Sequence, residues 1–154
     1  MGFLNKLMGL NSIKSESKKD EIRNIFNSKV KDGEKYTVLA GMNMITSKKL
    51  LKEIRTYYNY IIGYCDSDDP EIVIISTDSE LSFFEEPVYC KKSECISSKY
   101  IEQMGTFTIE HPKFDEPLTF FIISSTAWGG YVINVSYVGE FETFVKFFKK
   151  SFEK

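Results

Sequence analysis

One histidine, His111, and three cysteines, Cys65, Cys90 and Cys95, are all that this sequence offers of the side chains that most often ligate zinc or pair as nucleophile and base. The thiols are odd in number and lack a second pair at zinc-ribbon spacing, which argues against a disulfide framework and a four-thiolate metal site. They read as free thiols in a reducing compartment, so the chain is expected in the cytoplasm. Long apolar runs are missing too: none approaches the roughly 18 residues that a membrane-spanning helix needs. Asn5 and Lys6 break the opening "MGFLNKLMGLNS" before a signal-peptide core could form. There is no basic excess either, and a formal net charge of -2 argues against a general nucleic-acid binder. Neutralising several phosphates takes a strongly basic face.

Motifs for catalysis are equally scarce. A Ser-His-Asp or Cys-His site would have to use His111, and no G-x-S-x-G elbow accompanies it, so no catalytic residue is assigned and the chain is not read as an enzyme. His111 is expected to close a strand before an "HP" corner. Cys90 and Cys95 are five apart, which on a strand points them to opposite faces and away from a shared pocket. "CDSDDPE" gathers Asp66, Asp68, Asp69 and Glu71 but lacks the glycine and glutamate of a calcium loop, so it reads as a solvated hairpin loop. "WGGY" at 128–131 reads as a turn between strands rather than a phosphate cradle. No metal and no cofactor are expected.

What remains is a chain of 154 residues, 42% hydrophobic and 27% charged, long enough to bury a core without staples. Residues 1–33 read as two amphipathic helices. The first carries Phe3, Leu4, Leu7, Met8 and Leu10 on one side; a polar hinge "NSIKSESKK" follows; the second spans about Lys18 to Val30 with Ile22, Ile25, Phe26 and Val30 in register. Residues 34–154 form a separate unit in which the period switches to two. "YTVLAGMNM" is a strand ending at a polar corner at Thr46 and Ser47. Lys48 to Ile54 fits helix or strand, and Arg55 to Cys65, rich in tyrosine, is taken as strand. "EIVIIST" has the composition of a central strand buried on both faces. "VYCKKSEC", "YIEQMGTFTIEH", "LTFFIISST" and "YVINVSYV" bring the count to about seven strands. The closing segment then places Phe141, Phe144, Val145, Phe148 and Phe152 on one helical stripe, with Phe147 at its flank.

Seven antiparallel strands followed by one amphipathic helix, carried by "KYTVLAGMNM", "YYNYIIGYCDSDDPEIVIISTD", "EPVYCKKSECISSKY" and "VINVSYVGEFETFVKFFKK", resembles the bacterial branch of the pleckstrin-homology (PH) superfold over residues 35–154. The resemblance implies a mainly β (α+β) fold: two nearly orthogonal sheets forming an open barrel, capped by the C-terminal helix, with the N-terminal helices added. It does not carry over a ligand. Family members that hold phosphoinositides end their basic motif with a basic residue, any residue and arginine, whereas Glu53 and Ile54 separate Lys52 from Arg55 here. The tryptophan that eukaryotic members usually carry in the last helix is also missing, Trp128 lying earlier.

The expected function is therefore a non-enzymatic binding or scaffold module with an unidentified protein partner, or a second copy of itself. The candidate contact residues are Lys48, Lys49, Lys52 and Arg55 in the first hairpin and Phe3, Leu4, Leu7 and Met8 in the first helix. The alternative is a peripheral membrane protein held by that helix, since residues 1–31 carry seven basic residues against three acids, and a third reading is a small enzyme whose site is assembled from scattered carboxylates.

Overall fold

Alternating apolar and polar residues, dense in tyrosine, isoleucine and valine, drive the central chain into extended strands whose two faces can both be covered. The computed structural model describes the backbone from Gly2 and the side chains from Lys14 to Lys154. Helix α1 (Gly2–Lys29) leads into strands β1 (Thr37–Lys49), β2 (Lys52–Cys65), β3 (Glu71–Thr77), β4 (Val88–Lys91), β5 (Ser97–Ile101), β6 (Thr106–Glu110) and β7 (Leu118–Ile122). Helix α2 (Val138–Phe147) and a π-helical turn (Phe148–Phe152) close the chain. The strands form one antiparallel sheet in the order β4-β3-β2-β1-β7-β6-β5, curled into a half barrel. The fold is mainly β, consistent with a PH-like architecture. In place of two separate sheets, two wings meet at a thin seam, where β1 pairs with β7 only at Gly41 and Met42.

Adjacent residues of β2 show how the two faces are filled. Gly63 faces α1, where the Phe26 ring lies so close that a Cβ on Gly63 would come within 2.2 Å of it. Tyr64, pointing the other way, meets Phe144 and Phe147 at ring-centroid distances of 5.1 and 4.6 Å. Asn59 to Tyr64 are therefore buried without interruption. The concave face is lined further by Phe107 and Phe120, which Phe144 of α2 and Phe148 of the π-helical turn cover. Burying a phenylalanine of this kind contributes about 1.5–3 kcal/mol before entropy is counted. Lys19 of α1 bridges to Glu140 of α2 at 3.0 Å, linking the two helices.

Several expectations change. The stretch "NSIKSESKK" is no hinge: α1 is one helix, because its serines and lysines hold helical geometry well enough when Ile22, Phe26 and Val30 anchor the next turns. Thr46 and Ser47 are no corner, since β1 continues through them to Lys49. Lys48 to Ile54 becomes two strand ends around a Leu50–Leu51 turn. "YIEQMGTFTIEH" is two strands, β5 and β6, folded over at Gly105, which takes a positive φ of 67°. "YVINVSYV" is not a strand. It has no ladder partner, and its buried residues Val132, Ile133, Val135 and Tyr137 lie against the core as irregular chain. The side chain of Asn59 holds it there, donating to the Tyr131 carbonyl and accepting from the Ile133 amide.

The phenylalanine-rich tail covers the core as its stripe implies, with one adjustment. Phe144, Phe148 and Phe152 are fully buried, Phe141 and Val145 half-buried. Phe147 is buried as well, packed on Tyr64 and Phe152.

Candidate functional site

The seven residues Asn43–Lys49 of β1 and the seven Lys52–Tyr58 of β2 pair with each other and with no other strand, because β7 stops at Met42 and β3 at Asn59. They stand out from the half barrel as a two-stranded ribbon. At about 3.3 Å per residue, the ribbon reaches roughly 23 Å. Its tip is the two-residue turn Leu50–Leu51, and both leucines are as exposed as in an extended chain, at 102% and 104%. Leu50 adopts a left-handed φ of 58°. Hairpin turns normally give such a position to glycine or asparagine, since a larger side chain there costs about 1–2 kcal/mol.

The register sorts the expected contact residues. Lys49 pairs with Lys52 on one side of the ribbon, together with Ile45, Ile54 and Tyr58, all three exposed. Lys48, Glu53 and Arg55 fall on the other side, where Glu53 accepts a 3.1 Å bond from Arg55, leaving the lysines to dominate the tip. Tyr57, on that same side, stacks on Tyr131 at 4.7 Å and so braces the ribbon's root. The structure thus brings Lys48, Lys49, Lys52 and Arg55 together, around the two exposed leucines of the turn, in the stretch that the sequence left open between helix and strand. Phe3, Leu4, Leu7 and Met8 lie outside the described side chains.

A feature that sequence reasoning missed lies at the ribbon's root, on the side carrying Lys49 and Lys52. The open end of the concave face forms a groove of about 580 Å³. Ile45, Tyr58, Phe83 and Phe114 contribute apolar surface, while Glu85, Asp115 and Glu116 make its rim acidic, with Lys113 as its cation. The signal was present in duplicate: the two rim loops read "EEP" at 85–87 and "DEP" at 115–117.

The remaining candidates for chemistry are enclosed. Cys90 and Cys95 are both buried, and burial pushes their thiols up to about 12 and about 11. A 3-10 turn, Lys92–Glu94, interrupts the strand between them, so strand alternation does not apply, and both thiols enter the core. His111 closes β6 as expected and is buried; its Nδ1 accepts the Lys113 amide proton at 3.1 Å. Its Nε2 finds no hydrogen-bond partner, Glu94 being 3.9 Å away. Burial and the Lys113 charge hold the imidazole below its ordinary pKa, against the pull of Glu94. In the acidic "CDSDDPE" loop, Asp69 accepts from the Ser93 amide and hydroxyl, which stitches the loop to the turn after β4. Among the described residues, no three His, Cys, Asp or Glu side chains converge at metal-binding range, and no helix is long and apolar enough to cross a membrane.

No protein-family model, curated protein or solved structure matches this chain.

Proposed function

We propose that this protein is a non-enzymatic binding module of bacterial PH-like type, working in the cytoplasm and docking a protein partner through the β1–β2 ribbon. One observation carries this reading: Leu50 and Leu51 are fully exposed at the tip although a leucine in the left-handed region costs stability. A turn selected for folding alone would favour glycine or asparagine. Exposed apolar residues ringed by charge are the composition of a contact surface, with an apolar centre for affinity and a charged rim for orientation.

The test is co-purification from native cells with the intact protein and with Leu50→Glu/Leu51→Glu. Loss of a specific partner with the variant supports the reading. An unchanged set of captured proteins rejects it.

A second reading, peripheral attachment to an anionic membrane, is favoured by the same leucine pair beside Lys48, Lys49 and Lys52. Sedimentation with phosphatidylserine vesicles separates its two forms. Binding abolished by Leu50→Glu/Leu51→Glu places the anchor at the ribbon, and binding abolished by deleting residues 1–12 places it in the first helix.

A further inference from the structure

The ribbon tip and the groove have opposite charge and lie on the same side of the same hairpin. Lys49 and Lys52 point to the side on which Tyr58 enters the groove, and the acids Glu85, Asp115 and Glu116 wait at the ribbon's root. Within one molecule the tip is held off that groove by the seven paired residues of each ribbon strand, a reach of roughly 23 Å. In a pair of molecules laid ribbon against ribbon, antiparallel about a two-fold axis, each tip arrives at the other's root. We infer that this protein forms a symmetric dimer in which each copy's Leu50–Leu51 tip seats in the acidic, aromatic groove of a second copy. This rests on the reading of the ribbon as the docking element and names the partner.

Three independent features fit that occupant. The groove, at about 580 Å³, has the dimensions of a site for a few apolar side chains rather than a flat surface. Its exposed apolar members Tyr58 and Phe83 match the leucines, and its acidic rim matches the lysines. The exposed Ile45 and Ile54 along the ribbon, otherwise unexplained on a solvated hairpin, face the partner's ribbon in this arrangement. A two-fold relation makes both contacts at once, so the assembly closes at two copies and does not grow.

The experiment is sedimentation equilibrium of the pure, full-length protein. A concentration-dependent dimer that weakens with added salt is expected, since the opposed charges act over about a Debye length. Lys49→Glu/Lys52→Glu, reversing the tip, and Glu85→Lys/Asp115→Lys/Glu116→Lys, reversing the groove, should each weaken dimerisation roughly tenfold or more. Mixing the two variants should restore a mixed dimer, because each then meets its complement twice. All these positions are exposed, and unchanged circular dichroism establishes that each variant is folded. A native protein that stays monomeric at the highest soluble concentration overturns the inference, as does a dimer indifferent to both reversals. So does a monomer that sediments with anionic vesicles through its leucines. A monomer whose cellular partner is still lost with Leu50→Glu/Leu51→Glu overturns the dimer alone and leaves ribbon docking standing.

Discussion

The Phe26 ring lies where the Cβ of any other residue at position 63 would be, only 2.2 Å from such an atom. This contact fixes how α1 lies on the sheet, because Gly63 is flanked by Ile62 and Tyr64, whose side chains fill the opposite face. Gly63→Ala is expected to displace α1 and destabilise the protein by about 1–3 kcal/mol, the usual cost of overpacking a filled core. Urea unfolding measures it. Adding Phe26→Leu should recover part of the loss, and full stability of Gly63→Ala alone would show that the helix is held elsewhere.

Leu50→Asn should act in the opposite direction on stability. Asparagine tolerates the left-handed backbone that strains leucine, so the midpoint in urea should rise, by about 1 kcal/mol of unfolding free energy. The same variant should lose dimerisation or partner binding. A gain in stability with a loss of function is the combination expected of a residue kept at the tip for contact; a variant that loses stability would show that Leu50 supports the fold.

His111 makes a prediction in pH. Its imidazole is held below the ordinary value of 6.5 by burial and the neighbouring Lys113, so the folded protein resists the proton that the unfolded chain takes up. The stability this represents is fully present above pH 6.5 and is lost as pH falls through the lowered folded-state value. His111→Gln, which does not titrate, should show a flatter stability curve below pH 6.5 than the native protein. Parallel curves through that window would place the imidazole in solvent.

How much of this could be read from the residues depends on the range over which the signal acts. The strand buried on both faces was legible, but its place in the sheet was not. "EIVIIST" is apolar in a continuous run and is covered on both sides, as its composition requires, although it lies second in the sheet, beside the edge strand β4, and not at the centre. The tail's phenylalanine stripe was legible at helical period, while the burial of Phe147 at its flank, and the π-helical turn that follows from Phe148, were not. "YVINVSYV" alternates like a strand but has no ladder partner. Its apolar residues are buried, but the polar partner that holds them is the single side chain of Asn59, 72 and 74 residues away from the atoms it bonds.

The ribbon divides the same way. Its lysines were visible as a cluster, and the sequence by itself determined that Lys48, Lys49, Lys52 and Arg55 lie close together, along with the thiols, the apolar strands and the closing helix. Whether Leu50 and Leu51 face a core or solvent was decided by where β7 and β3 stop pairing, which is a property of neighbours distant in the chain. The groove was decided the same way. Glu85 and Asp115 are thirty residues apart and become one rim only because the sheet curls, bringing two loops together at its open end. Local periodicity specifies which residues want burial; the tertiary pairing specifies which of them are left without a cover.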